Sequence, residues 1–216
     1  MKKITLYLLL IVVPVVARAN LITNGSFESG PAIPGGQSYL TLSGGSTAIT
    51  GWTVTGTTVD YIGPGWNVSN GIRAVDLDGA FSTGGIQQTF ATIAGDTYVV
   101  SFDLSGNPGA PGQAAGPVVK DVQVSVDAFL QDYQFDTTGL TMSTLTWAPT
   151  SFSFTASGTS ATLSFLSQSP AGNSWGALID NVSVVAALNP IPEPASLGLF
   201  GLGLTAIYFS RRRKTV

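Results

Sequence analysis

Thr97-Tyr98-Val99-Val100-Ser101-Phe102-Asp103-Leu104 is the stretch on which the fold turns. Tyr98, Val100, Phe102 and Leu104 occupy alternate positions, so a pleated strand puts them on one face. A helix would scatter them around its circumference. The same period of two recurs at Val122, Val124 and Val126, set among Asp121, Gln123, Ser125 and Asp127. It returns at Phe152 and Phe154 and again at Leu163 and Phe165. Further strands are expected at Leu21–Phe27, Ala48–Val54, Thr58–Ile62, Arg73–Leu77, Ile86–Ala91, Gln131–Asp136 and Ala177–Val185. Turn clusters punctuate them at Ser43-Gly44-Gly45, Ala94-Gly95-Asp96 and Ser157-Gly158-Thr159. No window between 20 and 187 holds an amphipathic helical period. Many short strands with regular turns predict an all-β fold, an antiparallel jelly-roll β-sandwich.

Composition narrows the chemistry. The 216 residues make one domain plus appendages, and 4 Trp, 6 Tyr and 11 Phe supply a core. With no cysteine and no histidine, the chain has no disulfide framework, zinc-finger cluster, thiol nucleophile or Ser-His-Asp triad. Residues 20–190 carry eleven acids against only Arg73 and Lys120, a net charge of −9 that the −3 of the whole chain conceals. Such a domain repels nucleic-acid phosphates, so no nucleic-acid partner is expected. Divalent cations and neutral or cationic glycans suit it better. Ser105 to Pro117 holds four glycines and three prolines and reads as a long loop, either a crossover or the rim of a ligand site.

Both ends read as addresses. Lys2 and Lys3 precede the largely apolar Ile4–Val16, and Ala17-Arg18-Ala19 has the small-x-small form that signal peptidase accepts. Residues 1–19 are therefore expected to be a signal peptide routed through the Sec translocon, cut between Ala19 and Asn20. At the other end, Pro190, Pro192 and Pro194 break regular structure. Ala195–Phe209 then runs 15 residues without a charge, followed by Arg211, Arg212, Arg213 and Lys214. As a helix this run spans roughly 22 Å, short of a hydrocarbon core of about 30 Å, a gap that flanking residues or local thinning can close. The basic cluster would stay cytoplasmic.

Pro192-Glu193-Pro194, the short apolar helix and the Arg-rich end together resemble the PEP-CTERM sorting signal of Gram-negative bacteria that make exopolysaccharide. The resemblance implies processing by an exosortase near the tripeptide, with the helix a temporary stop in the inner membrane before the cell surface or matrix. Residues 188–216 are assigned to this signal, leaving 20–187 as the folded domain.

That domain also resembles a family. Asn24-Gly25-Ser26-Phe27-Glu28, Ile49-Thr50-Gly51-Trp52 and Val59-Asp60-Tyr61-Ile62 are similar to segments of choice-of-anchor C domains. So are Val75-Asp76-Leu77-Asp78-Gly79, Gln88-Thr89-Phe90, Tyr98 to Pro108, and the closing stretch Leu178 to Val184. The resemblance implies a secreted domain related to galactose-binding-like jelly rolls.

The candidate sites follow. If the last strand is regular, Asp180 shares the core-directed face with Leu178, Val182 and Val184, and a carboxylate there needs a partner. In jelly-roll carbohydrate-binding modules an acid after an N-G-x-F opening and an Asp in the closing strand help to hold a structural Ca²⁺. That resemblance implies Glu28 and Asp180 as ligands. The alternative has Asp180 capping a turn or pairing with Arg73, and Glu28 solvated. Asp76 and Asp78, two residues apart on a strand, have the rough spacing of a glycosidase pair, but Asp78-Gly79 reads as a turn start and no histidine assists. An enzyme is not expected. Trp66 and Trp175 lie in loop-like sequence and are the candidate exposed platforms for sugar rings. The expected function is a non-catalytic glycan-binding or exopolysaccharide-associated surface module. The alternative is a structural or adhesive protein whose partner is another surface protein.

Overall fold

The computed structural model describes residues 18–80, 82–109, 116–170, 172 and 174–187. The signal helix and the C-terminal helix with its sorting motif lie outside them. Among the described residues no helix is long and apolar enough to cross a membrane.

Twelve strands form two antiparallel sheets. They are β1 (Tyr39–Ser43), β2 (Thr53–Gly56), β3 (Thr58–Ile62), β4 (Ala74–Asp76), β5 (Asp78–Gly79), β6 (Ser82–Ala91), β7 (Thr97–Gly106), β8 (Val119–Val126), β9 (Phe129–Asp136), β10 (Ala148–Thr155), β11 (Ser160–Ser167) and β12 (Ala177–Ala186). One sheet runs β1-β3-β4-β12-β7-β10 and the other β2-β6-β11-β8-β9, with the short β5 beside β6. Their facing sides build the core: Tyr98, Val100, Phe102 and Leu104 from β7 meet Val122, Val124, Val126, Leu163 and Phe165. Phe102 packs edge-on to Phe165 with centroids 5.1 Å apart, and Trp52 and Phe27 continue the aromatic line. The alternation read from β7 is thus the alternation observed. Pro149 sits in β10, an edge strand, where a missing amide leaves no ladder bond unmade inside the sheet.

A second, smaller cluster lies on the outer face of the first sheet. Ile62, Ala74 and Leu178 point away from the main core and are covered by Leu145, Trp66, Val68 and Trp147. Loops 63–73 and 140–147 are thereby folded over the sheet instead of standing in solvent. Trp147 Nε1 donates to Asn67 O at 2.8 Å, and Asn67 Nδ2 donates to Leu145 O at 2.8 Å.

Four expectations need correction. Leu21–Phe27 is not a strand but a turn-rich segment, because Asn24 and Phe27 adopt left-handed φ values of 55° and 59°. Gly25 passes so close to β12 that a Cβ there would lie 1.9 Å from Val182 O. Of Ala48–Val54 only Thr53 and Val54 enter a strand, β2. Asp78-Gly79 is not a turn start: it pairs with Ser82 and Thr83, and the left-handed residue of the turn is Ala80. Finally, β12 is not regular. Its register against β7 shifts between Asp180 and Ser183, around Asn181 at φ 52°. This bulge reverses the facing of the strand. Ile179, Val182 and Val184 enter the main core, while Leu178 belongs to the outer cluster. Asp180 therefore lies on the outer face with Leu178, not on the core-directed face with Val182 and Val184.

Candidate functional site: a loop-covered sheet face and its cleft

The outer face of the first sheet collects most of the polar side chains singled out above. Strand register places Asp60 beside Asp76, and Asp180 beside Asp103. Asp180 is fully buried, and its carboxylate accepts the Asn70 amide at 2.8 Å and the Asn181 amide at 2.6 Å. Burial pushes its pKa up to about 7 against the lowering effect of the Asn70, Asn181 and Ser69 amides, and the nearby Asp103 raises it further. Asp103 in turn accepts from the Ser69 hydroxyl and from Asn181 Nδ2 at 3.1 Å.

Glu28 reaches the same loop from the other side. Its Oε1 accepts the Ile72 amide at 2.8 Å and the Arg73 amide at 2.9 Å. Between these two attachments Gly71 turns at φ 71°, where a Cβ would run into the Glu28 carboxylate. The structure thus brings Glu28 and Asp180 to one loop, residues 69–73, and both act by receiving backbone amides. The turn-capping alternative describes the bonds Asp180 makes; Arg73 is not its partner in them. Arg73 instead lays its guanidinium over the Tyr61 ring, 5.4 Å from the centroid. Among the described residues no group of three or more acidic side chains is arranged to hold a metal ion.

Beside this clasp a cleft of about 490 Å³ opens between two loops, lined by Ile33, Pro34, Gly35, Gly36, Gln37, Ser38, Pro64 and Gly65. The Gly63 amide donates to Ser38 O at 2.9 Å and ties the two walls together. Each wall ends in an aromatic residue. Tyr39 follows Ser38 and is 47% exposed, and Trp66 follows Gly65 and is half-buried. Tyr39 pairs across the ladder with Ile62, against whose cluster Trp66 packs, so both rings belong to one neighbourhood. Tyr39 was not foreseen; its mark in the sequence is an aromatic immediately after a Pro-Gly-Gly-Gln-Ser turn. Trp66 is less exposed than its loop-like sequence implies, because the outer cluster takes one side of the ring. Trp175 is also half-buried, next to the buried Gly176 at the opposite end of β12 from the clasp. The two tryptophans are not brought together.

Asp76 and Asp78 are buried and turned to structural work. Asp76 accepts the Asp78 and Gly176 amides, each at 3.0 Å, and Asn107 Nδ2 at 2.7 Å. Burial raises both carboxyls above the usual range, Asp76 by far the more. A pair closed off in this way offers no access to a glycosidic bond.

Comparison with known proteins adds the following. The family described as Protein of unknown function (DUF642) matches residues 20–185, and the PEP-CTERM protein-sorting motif matches residues 190–214. The sorting motif marks an exported protein destined for the cell surface. Halomucin of Haloquadratum walsbyi is 34% identical over 179 residues, 82% of this chain but 2% of halomucin. The chain thus spans a small fraction of the length of that relative. Among solved structures, the carbohydrate-binding module TmCBM61 in complex with β-1,4-galactotriose superposes with a TM-score of 0.51 at 19% identity. That match covers 78% of this chain and 99% of the module. The arabinose-bound α-L-arabinofuranosidase MgGH51 gives a TM-score of 0.51 at 13% identity, over 78% of this chain and 26% of the enzyme. Both likenesses concern the jelly-roll fold.

Proposed function

The chain belongs to the family described as Protein of unknown function (DUF642), and we propose that its domain is a non-catalytic glycan-binding module of the choice-of-anchor C type. In this reading residues 1–19 direct export and are removed after Ala19, residues 20–187 bind, and residues 188–216 are processed by exosortase. The observation that carries the reading is the cleft between loops 33–38 and 64–65, flanked by Tyr39 and Trp66. A shallow, neutral groove with aromatic rings at its rim is what a pyranose face requires: stacking area plus a few amide and hydroxyl groups such as Gln37 and Ser38. The sandwich shared with a module crystallised on galactotriose supports the same reading. The sorting motif adds that the module works outside the cell, where exopolysaccharide is the available polymer.

The proposal extends to one structural Ca²⁺ held by Glu28 and Asp180. Their convergence on loop 69–73, with Asp103 beside Asp180, supports it, and backbone carbonyls would complete the oxygen ligands. Such an ion would keep Asp180 ionised and pin the loop that covers the outer face. Calcium is then expected to raise the melting midpoint of the protein, and Asp180→Asn to abolish the rise. An unchanged midpoint in millimolar calcium and in EDTA would remove the ion from the account.

Retention on the producer's exopolysaccharide and on a panel of neutral glycans tests the main reading. The expected result is retardation that a soluble oligosaccharide competes away. Mobility equal to that of an unrelated acidic protein would instead favour a surface protein as the partner.

A further inference from the structure

The polar cluster at the other end of β12 has a composition that glycan binding does not use. Lys120, one of the two basic residues between positions 20 and 190, is fully buried. Its stem crosses the end of β7, where a Cβ on Gly106 would lie 2.6 Å from Lys120 Cγ. Next to Gly106 stands Asn107, 5% exposed, whose backbone amide donates to Gly176 O at 2.9 Å. The Asn107 side chain is held at both ends. Its Nδ2 lies 2.7 Å from Asp76 Oδ2, and its Oδ1 accepts the Gly109 amide at 2.9 Å. The Lys120 amine interacts electrostatically with Asp76 and Asp78, so amine, carboxamide and carboxyl share one dry corner of the sandwich.

We propose that Lys120 and Asn107 form an intramolecular isopeptide cross-link, with Asp76 as the proton-transferring group. Lys120 Nζ attacks Cγ of Asn107 and a C–N bond forms. The Asp76 carboxyl gives its proton to Nδ2, the Cγ–Nδ2 bond breaks, and ammonia leaves. The surplus proton on Nζ returns to Asp76, so the carboxyl ends as it began. The Gly109 amide faces the oxygen on which negative charge collects during the attack.

The electrostatics of the corner favour the protonation states this step needs. Burial pulls the Lys120 amine below its ordinary value, opposed by Asp76 and Asp78, and so favours the nucleophilic neutral form. Burial pushes the Asp76 carboxyl well above the usual range, helped by Asp78 and Asp60 and opposed by the Asp78 amide and Asn107, so it holds a proton. The chain has no cysteine, and a covalent tie from the end of β7 to the start of β8 would do for an exported domain what a disulfide does elsewhere.

The test uses the full chain, purified folded and then denatured. Arg73 and Lys120 are the two tryptic positions between Asn20 and Pro190, which supplies an internal control. The proposal predicts cutting after Arg73 but none after Lys120, and a mass lower by one ammonia in the peptide spanning both residues. Asn107→Ala and Asp76→Asn should restore cutting at Lys120 and the full mass. Asn107→Asp should still link, with release of water in place of ammonia. Complete cutting at Lys120 with the full mass in the wild-type chain overturns the proposal, and that readout does not depend on whether any variant folds. Loss of water from the wild-type chain overturns it too, since the acceptor would then be a carboxylate.

Discussion

Asp180 and Asp60 set the pH response of the domain. Burial raises Asp180 to about 7 and Asp60 to about 6, the latter against the lowering effect of the Thr41 hydroxyl, which donates to it at 2.5 Å. Both folded values exceed the unfolded value of 3.8, so between these limits the folded state binds more protons than the unfolded state. Stability therefore falls as pH rises from about 4 to about 7 and levels off above. Urea unfolding midpoints in calcium-free buffer should be higher at pH 5 than at pH 8, and Asp60→Asn should flatten the part of the slope near pH 6. A midpoint that climbs steadily over the same range would contradict the burial of these carboxyls. Gly25 answers to sterics instead. Gly25→Ala sets a methyl group against Val182 O, and a loss of about 1–3 kcal/mol or more is expected in the same assay. At this scale the sequence was legible where side chains alternate and opaque where the backbone is unusual. Asn24, Phe27 and Asn181 all take left-handed conformations, and none is a glycine that would have advertised it.

The elements show the same division. β3 coincides with its expected bounds, and β7, β8, β9, β11 and β12 contain theirs, because each buries a full period-two face. β1 was missed because Leu40 and Leu42 are its only alternating apolar pair, beside a Pro-Gly-Gly turn that reads as loop. The bulge in β12 was missed for a different reason. Hydrophobic residues flank Asp180 on both sides, so a regular strand and a bulged one share the same pattern in that segment. Only contact with the covering loops separates Leu178 from Val182. That outer cluster is an element in its own right, and its removal is measurable. Leu178→Ala is expected to cost about 2–5 kcal/mol. It should also speed hydrogen exchange in residues 64–70 relative to the main core. Equal protection in wild type and variant would show that the loops are held by their hydrogen bonds alone.

For the whole molecule, an acidic sandwich carries a sorting motif at one end, and its most open groove is neutral. The fold and the sorting motif were readable because each is written in a pattern, one periodic and one of fixed order. The binding groove was not, since it joins loop 33–38 to loop 64–65 and places Tyr39 and Trp66 together only through the pairing of β1 with β3. The measurement that tests the account most directly is affinity electrophoresis in galactan and in the producer's exopolysaccharide, comparing wild type with Tyr39→Ala and Trp66→Ala. The account predicts retarded wild type and at least about a tenfold weaker interaction for Tyr39→Ala, whose exposed ring supports little of the fold, from a lost stacking contact of about 1.4 kcal/mol or more. Retardation unchanged by Tyr39→Ala, or absent from the wild-type protein, would contradict it.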